Sequence, residues 1–144
     1  MKDHPVLRGF KNEGMTLEQI IKLEADYNKG KLFPQVLREF LFLAGEYNNV
    51  GYDIFEDLET LQEMARTELK YNNKKIDRPF FVFDQLTGCE VFTFIYLDEH
   101  KDDPDVYHCY PYYHNEPLIQ PAKDFTFVSL TNEHVRRLKE GLPL

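Results

Sequence analysis

The chain has 144 residues, 42% hydrophobic and 29% charged, and its 17 basic and 25 acidic side chains give a formal charge of −8. That length predicts one domain over residues 1–144, and nine tyrosines with twelve phenylalanines supply the burial that disordered chains lack. No apolar run reaches the ~18 residues of a membrane span, Met1–Pro5 opens no secretory signal, and residues 1–72 and 73–144 each carry −4, which leaves no basic patch for nucleic acid.

Thr16 to Asn28 predicts a first helix. Thr16 with Gln19 forms a T-x-x-Q capping box. Leu17, Ile20, Ile21, Glu24 and Ala25 keep helical spacing, with Glu24 the polar exception, and Gly30 ends the segment. Pro34 to Ala44 predicts a second helix, with Pro34 in its first turn. Its apolar stripe of Phe33, Val36, Leu37, Phe40, Leu41 and Ala44, widened by Phe42 and Leu43, predicts a core position, and Gly45 stops it. After a turn at Asn48–Gly51, Tyr52–Phe55 is compatible with a short strand. Asp57 to Tyr71 predicts a third helix through Leu58, Leu61, Ala65 and Leu69, with acids first and Lys70 last, as the helix dipole favours.

The period then changes to two. Pro79–Phe83 predicts a strand, Gln85–Gly88 a hairpin loop, and Glu90–Leu97 a second strand covered on both faces. Asp98–Asp105 predicts a charged, solvated turn and Val106–Tyr110 a third strand. Pro111–Pro121 predicts an ordered loop. Phe125–Leu130 fits a fourth strand or the lead-in to a helix. Thr131 is the predicted cap of the last helix, with Val135 and Leu138 facing inward and Gly141 as the stop. The connections between strands are too short for crossovers. The fold class is therefore α+β: N-terminal helices and a C-terminal helix packed on an antiparallel β-meander.

Catalytic signals are weak. The acidic turn lacks the ligand spacing of a calcium loop. His108 and Cys109 are strand neighbours that point to opposite faces, so they do not converge with His114 on a metal or a nucleophile. Ser129 and His134 lack a third partner. Cys89 and Cys109 are too few for a disulfide scaffold or a four-thiolate zinc site and predict buried free thiols in a reducing cytoplasm. No cofactor and no metal are expected, and the chain is expected not to be an enzyme. The tract Val106–His114 is dense in tyrosine, a residue that serves cores and contact surfaces alike.

Several segments carry a resemblance. Leu17–Glu24 leads to Leu32-Phe33-Pro34-Gln35-Val36-Leu37-Arg38-Glu39-Phe40-Leu41, followed by Gly45. Later come the apolar strand Phe80–Phe83, Gly88, the aromatic strand Val91–Tyr96, and Asp102-Asp103-Pro104-Asp105-Val106-Tyr107. In order and spacing these resemble the SUKH immunity-protein superfamily, in particular its Smi/Knr branch, over about residues 15–138. The resemblance implies an α+β domain that binds proteins. Bacterial members are thought to neutralise toxins, often nucleases, and eukaryotic relatives are regulatory. It carries over no functional residue, since the family has no agreed catalytic set.

The expectation is a non-catalytic, cytoplasmic protein-binding module whose partner is a cognate toxin. A regulatory scaffold is the alternative, and a hydrolase using His108 or His114 a weaker one. The acidic turn beside the tyrosine loop, at one end of the meander, predicts a contact face of Asp98, Glu99, Asp102, Asp103, Tyr112 and Tyr113. Its acidity suits a cationic partner.

Overall fold

The computed structural model describes residues 12–144, so the reading of Met1–Pro5 lies outside the described residues. The elements are α1 (Leu17–Tyr27), α2 (Gln35–Ala44), α3 (Leu58–Tyr71), β1 (Phe80–Leu86), β2 (Val91–Tyr96), β3 (Asp105–Cys109), β4 (Ile119–Thr126) and α4 (Phe127–Glu140). The four strands form one antiparallel sheet in the order β1-β2-β3-β4. This is the expected α+β meander with helices before and after it.

The α1 capping box is present. The Thr16 hydroxyl accepts the Gln19 N–H at 3.2 Å, and the Gln19 side chain accepts the Thr16 N–H at 2.8 Å. The buried face of α1 differs from the predicted one: Ile20, Leu23 and Glu24 point inward, whereas Leu17, Ile21 and Ala25 are exposed. In α2 Pro34 is the cap and Gln35 the first helical residue. Leu37, Phe40, Leu41 and Ala44 fill the core, but Phe42 and Leu43 stay outside, because a ten-residue helix on a sheet can bury only one side. Tyr52–Phe55 forms no strand, although Tyr52 and Ile54 are buried. Asp57 caps α3 by accepting the Thr60 N–H at 2.7 Å.

Chain and sheet part from expectation most at the C-terminal end. Ile119 and Gln120 already pair with Cys109 and His108, so β4 begins inside the tract read as loop. It ends at Thr126, whose side chain accepts the Ser129 N–H and caps α4. Thr131 is not the cap. It lies one turn into α4, buried, where its hydroxyl donates to the Phe127 carbonyl at 2.8 Å and meets the Tyr52 hydroxyl at 2.7 Å. A threonine after a short apolar run reads like a cap, and only the Tyr52 contact from a distant loop shows why it sits inside instead.

Alternation along the strands gives the sheet two different faces. Phe81 and Phe83 point toward the helices: the Phe81 ring lies 5.1 Å from Phe33, and Phe83 lies 4.9 Å from Tyr52 and from Phe127. The other face is an aromatic ladder of Phe80, Phe92, Phe94, Tyr96 and Tyr107. Two arginines lie on it as cation–π contacts, Arg66 at 4.1 Å from the Phe80 ring and Arg78 at 3.6 Å from the Tyr96 ring. Phe92 through Tyr96 are all buried, as predicted for a strand covered on both sides.

Candidate protein-docking surface

The meander places the six predicted contact residues in two separate groups. Because β3 runs away from the β2–β3 turn, the acidic turn sits at one end of the sheet and the β3–β4 connection, with Tyr112 and Tyr113, at the other. Five residues of β3 separate them, about 17 Å of extended chain. They do not form one face.

The acidic turn is also less free than its charge suggests. Asp98 takes a fork of hydrogen bonds from Arg78, at 3.1 Å from Nε and 2.6 Å from Nη2, which holds its carboxyl below the usual range. The Glu99 side chain is 12% exposed, and its Oε2 accepts from the Tyr107 hydroxyl at 3.2 Å. The Asp102 carbonyl accepts the Val36 N–H at 3.1 Å, an otherwise orphaned donor in the first turn of α2. Asp103 accepts the Val128 N–H at 3.0 Å and the Thr126 hydroxyl at 2.7 Å at the start of α4. The turn is thus a clip that joins the N-termini of α2 and α4 to the sheet, and of the four acids predicted for the contact face Asp102 is exposed while Asp98, Glu99 and Asp103 are partly buried. Asp103→Ala is expected to lower stability by about 1–2 kcal/mol, the cost of a lost helix cap. An unchanged urea midpoint would show that Thr126 suffices alone.

Tyr112 and Tyr113 are exposed and packed edge-to-face with each other, Tyr113 also meets Tyr110 edge-to-face, and the Tyr113 carbonyl accepts from Lys74 Nζ at 3.1 Å. His108 shares a 3.0 Å hydrogen bond between Nδ1 and the Thr93 hydroxyl, and burial lowers its pKa. His114 is exposed on the loop. Cys89 and Cys109 are free and buried, and burial pushes each thiol up to about 12, far from a reactive thiolate. Ser129 is engaged in the α4 cap, while His134 Nδ1–H donates to the Val50 carbonyl at 2.9 Å. No group of three or more His, Cys, Asp or Glu suited to a metal occurs among the described residues.

One carboxylate has a different character. Asp84, at the irregularity in β1, accepts the Asp53 N–H at 2.8 Å and the Gln85 N–H at 3.0 Å. Burial outweighs these bonds and raises its pKa from 3.8 to about 6. A carboxyl whose folded pKa lies above its unfolded value binds its proton more tightly in the native state. Stability from this group therefore rises as pH falls from about 7 to about 4. Asp84→Asn keeps an oxygen for both N–H groups and removes the charge. It is expected to stabilise the fold at pH 7 by about 2–3 kcal/mol and by little at pH 4. Urea unfolding of variant and wild type at pH 7.5 and 4.5 checks this, and equal differences at the two pH values would contradict it.

The surface that the sequence reading missed lies on the helices. Leu17 and Ile21 of α1, Phe42 and Leu43 of α2 and Val128 of α4 are 52%, 51%, 59%, 45% and 37% exposed. Two depressions lie among Leu17, Phe42, Leu43 and Val128. One, of about 170 Å³, lies between α2 and α4 over Val36, Phe40, Phe127 and Val128. The other, of about 250 Å³, lies between α1 and α2 over Leu17, Ile20 and Phe42. Glu39 and Leu43 line both, so the outer side of α2 forms a ridge with an apolar notch on each flank. Its sequence signal was the apolar excess of α2: seven apolar residues in ten exceed what one buried face can use.

No protein-family model matches the chain, and neither curated proteins nor solved structures give a match. No described helix is long and apolar enough to cross a membrane.

Proposed function

We propose that this chain is a non-catalytic protein-binding module of the immunity type, which neutralises a partner toxin, with nucleases the favoured class, by stoichiometric binding in the cytoplasm. The observation that carries the reading is the apolar helical surface: five large aliphatic or aromatic side chains on three adjacent helices are exposed and are not covered by the other described residues. Contiguous exposed apolar surface of this kind marks protein-interaction sites. The order and spacing of the SUKH-like segments and the charge of −8, suited to a cationic partner, support it further. Among the described residues, His108, His134 and Ser129 are engaged in structural hydrogen bonds, Cys89 and Cys109 are buried, and His114 is isolated on a loop.

The test starts from the gene adjacent to this chain's own, which the proposal expects to encode a toxin-like domain, and co-expresses the two. Growth should be rescued, and the purified proteins should form a 1:1 complex in which toxin activity falls linearly to zero at equimolar ratio. Protection at far below equimolar amounts would mean turnover and an enzyme. Absence of any complex would remove the immunity reading.

A further inference from the structure

We infer that the α1–α2–α4 face is a docking groove for a basic amphipathic helix of a protein partner. The inference rests on the protein-binding reading and adds where binding occurs and which chemistry is recognised.

The two depressions flanking Leu43 are lined mainly by apolar side chains of helices, with Glu39, Thr131 and Asn132 at the edge of one and Arg38 and Glu39 at the edge of the other, the arrangement that receives an incoming helix by ridges entering grooves. An occupying helix would place apolar anchors over Phe42, Leu43 and Val128. The charge of the occupant follows from the rim. Glu39 rises from the ridge between the two depressions, and Glu18 borders the Leu17–Ile21 row of α1. Asp102 lines a third depression that shares Glu39. Arg38 and Lys101, which also line these depressions, are engaged with Glu24 at 2.8 Å and Asp105 at 3.0 Å, which leaves the carboxylates of Glu39, Glu18 and Asp102. All three are exposed, and none has an ion-pair partner among the described residues. Lys or Arg flanking the partner's anchors would meet these carboxylates, while a second copy of this chain would set Glu39 against like charge and bring −8 toward −8. An anionic membrane surface is disfavoured by the same rim.

The experiment titrates the isotopically labelled full chain with three synthetic peptides: an 18-residue amphipathic helix with a leucine face and a Lys/Arg face, its Glu-substituted counterpart, and a Lys/Arg peptide with serine in place of leucine. Amide shifts should follow the first peptide alone and centre on Leu17, Ile21, Phe42, Leu43 and Val128. Leu43→Glu and Phe42→Glu, both at exposed positions, should each weaken binding about tenfold or more. Raising NaCl from 50 to 500 mM should weaken it several-fold, roughly as screening of rim charges requires. The proposal is overturned if the basic peptide fails to bind, if the acidic peptide binds equally well, or if the shifts lie on the tyrosine loop. A concentration-dependent dimer of the chain alone that Leu43→Glu dissociates would overturn it too, by assigning the face to a second copy. Toxin neutralisation that survives Leu43→Glu and Phe42→Glu defeats this docking site and leaves the immunity reading standing. Peptide binding here without any toxin complex does the reverse.

Discussion

Gln62→Met is expected to destabilise the fold by about 3–5 kcal/mol, although it preserves side-chain volume on a face that is otherwise apolar. Gln62 is fully buried, and its amide makes three hydrogen bonds. Nε2 donates to the Val82 carbonyl at 2.7 Å and to the Leu58 carbonyl at 3.1 Å, while Oε1 accepts the Val82 N–H at 2.8 Å. A side-chain amide that takes both polar groups of one strand residue acts as a piece of neighbouring strand. It satisfies the edge of β1, which has no further strand beside it. One turn later Arg66 donates to the Phe80 carbonyl at 3.0 Å. Four helical residues rise about 6 Å, and two strand residues about 7 Å, so α3 can run antiparallel to β1 and meet it at both points. Methionine would leave the Val82 N–H and C=O buried without partners, at about 1–3 kcal/mol each. Thermal unfolding should shift down by roughly 10 °C or more, and the Val82 amide should lose hydrogen-exchange protection before its neighbours in β2. A loss under about 1 kcal/mol would mean that the β1 edge is held by other means.

The helices and the meander were legible in the sequence because period and punctuation agreed there. Thr16 with Gln19, Asp57, Gly45 and Gly141 stand at or beside the ends they predicted. What remained hidden depended on contacts between distant segments. Thr131 sits inside α4 because Tyr52, 79 residues away, reaches its hydroxyl. The start of β4 depends on pairing with β3 and has no apolar alternation of its own: its exposed Pro121, Lys123 and Asp124 read as loop.

For the candidate site, charge in the sequence did not reveal how the acids are engaged. Asp98, Asp102 and Asp103 look like a free acidic surface in a linear reading, yet Arg78 and the first-turn N–H groups of α2 and α4 draw on their carboxylates or carbonyl. Conversely, Phe42 and Leu43 look like core. The informative quantity was the surplus of apolar positions over one helical face, which leaves Phe42 and Leu43 uncovered among the described residues. Polar residues inside apolar stripes gave a parallel signal. Glu24 stood out in α1, and Gln62 occupies the same kind of position in α3 among Leu58, Leu61, Ala65 and Leu69. Each proved to be buried and bonded to a neighbouring element.

Glu24 carries the second large expected effect. Its carboxylate is buried between α1 and α2, where Oε2 accepts the Phe33 N–H at 2.6 Å and Arg38 Nε at 2.8 Å, and Oε1 accepts Arg38 Nη2 at 3.3 Å. The pair fixes the loop that turns α1 into α2 and thereby sets the angle at which the Leu17–Ile21 row faces Phe42 and Leu43. Arg38→Met would leave the carboxylate buried without its cation and should cost about 3–5 kcal/mol. Glu24→Gln in the same chain restores a neutral group whose oxygen still accepts the Phe33 N–H. The double variant should therefore regain most of that loss, although it carries one more substitution. A double-mutant cycle in urea decides the matter. If the two losses simply add, the ion pair does not couple α1 to α2, and the geometry of the docking face must be held by the apolar contacts of Ile20, Leu23 and Leu41 alone.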